Sequence, residues 1–98
     1  MNRALTPEEC GPVLKVVAEP TRLRLLAALR DRPRSVSELQ AAVGLRQYQT
    51  SRHLAALFEA GLVARQRAGR RVLYRLVGDP IEGDACSVEL GCCRLTLR

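Results

Sequence analysis

Histidine and lysine occur once each, as His53 and Lys15, and tryptophan is absent. A single imidazole argues against a multi-histidine metal site, which needs several donors close together. No stretch approaches the roughly 18 consecutive apolar residues of a membrane-spanning helix. The opening Met1-Asn2-Arg3-Ala4-Leu5 runs into a proline and two glutamates rather than an apolar signal core. These absences lead us to expect a cytoplasmic protein with no membrane partner. Also missing are a Ser-His-Asp set, paired carboxylates and a glycine-rich phosphate loop, and 98 residues leave little room for a catalytic pocket. Catalysis is therefore not expected.

What the chain does have is arginine. Sixteen basic residues face ten acidic ones, for a net charge of +6, and all but one of the basic residues are arginine. The sequence pI of about 9.9 is the electrostatic footprint of a nucleic-acid binder, and arginine recognises phosphate and guanine bidentately. One domain is expected over residues 1–98. A core at 12–77 would be flanked by cysteine-bearing ends at 1–11 and 78–98. A chain this short buries a modest core, so dimerisation would add stability.

Thr6-Pro7-Glu8-Glu9 fits a capping box, but Pro12 would interrupt a continuing helix. The spacing therefore predicts a turn near Cys10 and a short helix from about Pro12 to Ala18. Pro20 opens a second helix, expected over Thr21–Asp31, with Arg22, Arg24 and Arg30 outward. The organising stretch is Val36–Leu76. There a helix (Val36–Val43), a glycine-containing turn (Gly44-Leu45-Arg46) and a second helix (Gln47–Ala60) form a helix-turn-helix pattern. Thr50, Leu54, Leu57 and Phe58 recur at helical spacing and should face the core.

The second helix would enter the major groove. Gln47, Gln49, Arg52 and His53 are then expected to face DNA, with Tyr48 and Thr50 near enough to its start to reach phosphate or a thymine methyl. Alternation from Leu62 to Val77 around Ala68-Gly69 predicts a two-stranded wing. Its Arg65, Arg67, Arg70 and Arg71 suit the phosphate backbone or minor groove. The expected fold class is mainly α with a β-hairpin wing: a winged helix-turn-helix, acting as a homodimer.

Three motifs, in order, resemble the arsenic-repressor (ArsR/SmtB) family: Glu19-Pro20-Thr21-Arg22-Leu23-Arg24-Leu25-Leu26, then Thr50-Ser51-Arg52-His53-Leu54 through Leu57-Phe58-Glu59-Ala60-Gly61-Leu62-Val63, then Arg70–Leu76. The resemblance implies a homodimeric transcriptional repressor that leaves an operator, an imperfect inverted repeat of double-stranded DNA, when a metal or other inducer binds. The family's founding arsenic sensors carry cysteines on the helix before the turn. The matching positions here are Ser35 and Ser37, and a hydroxyl does not replace a thiolate for a soft ion. The histidine-bearing site of the family's zinc sensors is missing as well, since no histidine follows His53.

The thiols lie instead at the ends, as Cys86, Cys92 and Cys93, with Cys10 available to join them. Three thiolates suit As(III) or Sb(III), and four in a tetrahedron suit zinc or cadmium. The same thiols also suit mercury, and they suit a thiol-based redox or reactive-sulfur switch. No obligatory cofactor is expected. For the tail, Cys86, Leu90, Cys93 and Leu97 fit a helical stripe, whereas Cys93, Leu95 and Leu97 also alternate as in a strand. A short or broken helix is the favoured expectation.

Overall fold

The first helix starts five residues earlier than the proline pattern suggests. In the structure, a computed structural model that describes residues 5–77, 86–90 and 93–97, α1 spans Pro7–Val17 and contains Pro12. Two reciprocal bonds hold its start. The Glu9 N–H donates to Thr6 Oγ1 at 3.2 Å, and the Thr6 N–H donates to Glu9 Oε1 at 3.2 Å. Gly11 has no Cβ to clash with the Pro12 ring, which relieves the usual bar on helical backbone before proline. The expected turn at Cys10 is thus replaced by helix.

Helix α2 (Pro20–Ala28) has Pro20 at its first position and Glu19 as N-cap, the carboxylate accepting from the Arg22 N–H at 2.9 Å. It ends three residues before Asp31. Arg34 Nε donates to the Ala28 carbonyl at 2.6 Å and satisfies one of the last-turn acceptors. Helix α3 (Val36–Val43) and helix α4 (Gln47–Glu59) follow. Strand β1 (Arg34–Ser35) precedes α3 and pairs antiparallel with β3 (Arg71–Leu76), which pairs in turn with β2 (Val63–Ala68). Among the described residues the wing therefore has three strands in the order β1-β3-β2, one more than the alternation alone revealed. Two residues of β1 are too few to show a period.

The tail is a second hairpin rather than a helix. Strand β4 (Cys86–Glu89) pairs antiparallel with β5 (Arg94–Leu97), Val88 lying opposite Leu95. Leu95 and Leu97 pack against the core while Arg94 and Thr96 are exposed. The period-two pattern prevailed because one face of this segment packs on the core while the other is exposed.

Leu25, Leu26, Leu39, Leu54 and Leu57 are fully buried at the centre, with Leu29, Leu62, Val63 and Tyr74 around them. Each such leucine contributes on the order of 1.5–3 kcal/mol by leaving water. Val88 and Leu90 of the tail join the same cluster.

Candidate nucleic-acid interface and the cysteine-bearing ends

Helix α3 is set by Ser35, whose hydroxyl accepts from the Glu38 N–H at 3.2 Å while Glu38 Oε1 accepts from the Ser35 N–H at 3.1 Å. It ends at Gly44, where φ is +69° and the N–H donates to the Gln40 carbonyl at 2.9 Å. A Cβ there would meet nothing within 4 Å, so the demand for glycine is one of backbone conformation alone. The chain then re-enters helix at Gln47, with the Arg46 N–H donating to Gln49 Oε1 at 3.4 Å. Helix α4 closes in a Schellman motif. Gly61 (φ +77°) donates to the Phe58 carbonyl at 3.0 Å, and Leu62 donates to the Leu57 carbonyl at 3.0 Å. These two stops fix the angle between α3 and α4 and aim the chain into β2.

The residues expected to read DNA separate on this frame. Gln47, Tyr48, Gln49 and Arg52 are exposed on the first turns of α4, Tyr48 by 70%. The Arg52 guanidinium lies 5.8 Å from the Tyr48 ring centroid, one turn away. Thr50 must be removed from the contact set. It is fully buried and its hydroxyl donates to the Arg46 carbonyl at 3.0 Å, so it serves the start of the helix. His53 is half-buried, its Nδ1 accepting from Arg22 Nε at 3.1 Å. Arg22 itself is not the solvated cation expected, since its Nη1 also donates to the Val16 carbonyl at 3.1 Å. Beside these groups, burial pushes the Glu19 carboxyl up. The Arg22 and Thr21 N–H groups outweigh burial and hold the carboxyl below its ordinary range.

Phe58, expected in the core, is instead 38% exposed, with the Arg65 guanidinium stacked 3.7 Å from its ring centroid. That cation–π contact orients the root of the wing. Arg67 and Arg70 are exposed toward the hairpin tip, where Gly69 takes φ +66° and Arg70 does not take a positive φ, as a type II′ turn requires. Arg71 is exposed too but pairs with Glu38 at 3.0 Å, and Arg32 pairs with the other oxygen of that carboxylate at 3.0 Å. The Ser35 N–H, with Arg32 beside it, lowers the Glu38 carboxyl to about 2. From the sequence, Glu38 stands out only as an acid in the first turn of its helix. Its link to the wing spans 33 residues, and no local spacing signals that.

The cysteines divide similarly. Cys10 is buried on α1 and is disulfide-bonded, so its sulfur is not a thiolate in this state. Cys93 is an exposed, reduced thiol, and its carbonyl accepts from the Leu90 N–H at 2.9 Å. Cys86 opens β4 opposite Leu97, with its side chain outside the described residues, and Cys92 lies outside them altogether. Among the described residues no three His, Cys, Asp or Glu side chains gather as a metal cluster, and no helix is long and apolar enough to cross a membrane.

Helix, glycine turn, second helix and arginine-bearing wing define a winged helix-turn-helix protein. Residues 17–66 match the family described as a helix-turn-helix domain. The chain is 41% identical over 69 residues to the transcriptional repressor SmtB of Mycobacterium tuberculosis, covering 70% of this chain and 51% of that protein. Among solved structures, the homodimeric winged helix-turn-helix DNA-binding domain of Mb0332 from Mycobacterium bovis superposes with a TM-score of 0.68 at 34% identity, over 72% of this chain and 66% of that one. A possible transcriptional regulator for arsenical resistance superposes with a TM-score of 0.62 at 42% identity, over 65% and 67%. The chain belongs to the ArsR/SmtB family of transcriptional regulators. It spans about half the length of the SmtB relative. These relatives are transcriptional regulators rather than enzymes.

Proposed function

We propose that the protein is a cytoplasmic, homodimeric repressor that grips operator DNA with α4 and the wing, and lets go when a thiophilic inducer engages the cysteines at the chain ends. The observation that carries the DNA reading is the row of exposed Gln47, Tyr48, Gln49 and Arg52 on one helix, beside a wing exposing Arg65, Arg67 and Arg70. Glutamine and arginine carry base readout, and the wing arginines carry phosphate contacts and salt dependence. His53 and Arg71, each already bonded within the protein, add to this set through their remaining donors. A second copy is supported by the mostly apolar groove of Pro12, Val13, Val16, Ala56 and Ala60, with Glu59 the one charged residue in its lining, and by the exposed Leu14 beside it in sequence. Two recognition helices then address half-sites about one DNA turn apart, so the operator is an imperfect inverted repeat.

For the inducer we favour As(III) or Sb(III) on Cys86, Cys92 and Cys93, with Cys10 joining once reduced. Zinc or cadmium on four sulfurs, or mercury on the same thiols, is the variant of the same reading. The Cys10 disulfide favours a second reading, in which two thiols lose two electrons and two protons to a peroxide or polysulfide and the new S–S bond ends repression. One experiment separates them: release of an enriched DNA duplex, followed with arsenite, cadmium and peroxide in turn, with mass spectrometry of the released protein. Arsenite release that Cys92→Ser abolishes, with DNA binding intact, supports the metalloid reading. Release only under peroxide, with loss of two hydrogens, supports the redox reading.

A further inference from the structure

Arg22 joins three helices through one guanidinium. Its main chain lies in the first turn of α2, where its N–H bonds the Glu19 carboxylate at 2.9 Å. Its Nη1 donates to the Val16 carbonyl, in the last turn of α1, at 3.1 Å. That carbonyl would ordinarily accept from the residue four further on, which is Pro20 and has no N–H. Arg22 supplies the missing donor. Its Nε donates to His53 Nδ1 on α4 at 3.1 Å. A guanidinium has donors only and stays charged at any relevant pH, so the nitrogen it meets must be bare. Glu19 Oε2, at 3.9 Å from the same nitrogen, is beyond hydrogen-bond reach and cannot hold a proton there instead. The imidazole is therefore neutral, with its proton on Nε2. The same ring lines the open groove formed by Tyr48, Gln49, Arg52 and Glu59 on the recognition helix.

We infer that Arg22 is a positioning residue for DNA binding: it locks His53 as the Nε2–H tautomer, offering a neutral donor beside Tyr48 and Arg52, and it registers the recognition helix against the end of α1. The inference rests on the DNA-binding reading above, and its consequences differ from those of a solvated surface arginine. An arginine acting by charge alone is replaceable by lysine. An arginine acting through two directed bonds to groups on different helices is not, because an ammonium cannot present the same fork.

His53 is the only histidine, so nitrogen-15 NMR of the whole chain reports its ring without assignment. The wild-type spectrum should show a protonated Nε2 and a bare Nδ1 at neutral pH. Arg22→Met should shift the ring toward a mixture of tautomers. It should also weaken binding to a duplex enriched by the wild-type protein from a randomised pool by roughly tenfold, the weight of one charge-assisted bond. Arg22→Lys should fail to restore either property. A wild-type ring protonated at Nδ1 overturns the inference without any variant. So does an Arg22→Met protein that keeps both tautomer and affinity, or full rescue by lysine. Failure of the wild-type protein to enrich any duplex would instead count against the DNA-binding reading, while the NMR result still decides the tautomer.

Discussion

The molecule carries two antiparallel hairpins with opposite surfaces. The wing, β2 and β3, is arginine-rich and exposed toward its tip, and it meets the core at its root through Val63, Tyr74 and Leu76. The terminal hairpin, β4 and β5, buries Val88 and Leu90 within the leucine core and carries two cysteines at or next to its strands, Cys86 and Cys93. Removing the wing's charges would leave the fold intact, whereas loosening the tail would open the core. A grip suits a surface that is free to meet a partner. A switch suits a segment whose packing is shared with the rest of the protein, because a change there cannot stay local.

The contrast is sharpest in stability. Leu90→Ala should destabilise the protein by about 2–4 kcal/mol, as deletion of a buried leucine does. Val72→Ala in the wing, at a residue 39% exposed, should stay within about 0.5 kcal/mol. Urea denaturation of both variants measures the difference, and equal effects would dissolve the comparison. DNA binding should show the reverse order. Arg52→Ala should cost about 1–3 kcal/mol and relax sequence choice at one position. Arg67→Ala should weaken binding more evenly across sequences and reduce the salt slope by about one. Leu90→Ala should weaken DNA binding less than either where it remains folded.

The smallest effect concerns the tie between wing and helix. The Glu38 carboxyl is held at about 2 in the folded protein against an ordinary 4.5. A carboxyl lowered by folding adds stability above its unfolded value, and that contribution is lost as pH falls from about 4.5 toward 2. Glu38→Gln should therefore flatten stability over that acid window, lie slightly below the wild type near neutrality and converge with it toward pH 2. Titrated thermal unfolding of the two proteins checks this.

The helix-turn-helix and its wing were readable because their signals are local. Gly44 and Gly61 mark helix ends, and Gly69 turns a strand back on itself. The tail was not, because Cys86, Leu90, Cys93 and Leu97 satisfy a helical stripe as well as a strand. Only packing against distant leucines chose between them. Thr50 and Phe58 show the same limit on α4, since a small error in judging a helix face exchanges a buried residue for an exposed one. The Arg22–His53 bond, 31 residues apart in sequence, and the Arg71–Glu38 pair have no spacing signal at all.

On the proposed reading, one part of this chain holds DNA and the cysteine-bearing ends release it. A single titration puts that division of labour at risk: fluorescence anisotropy of an enriched duplex bound to fully reduced protein, with arsenite added stepwise. We expect tight, salt-sensitive binding that arsenite reverses in the wild type and fails to reverse in a variant with Cys86, Cys92 and Cys93 changed to serine. Release of both proteins alike, or an operator complex indifferent to arsenite, cadmium and peroxide, would contradict it.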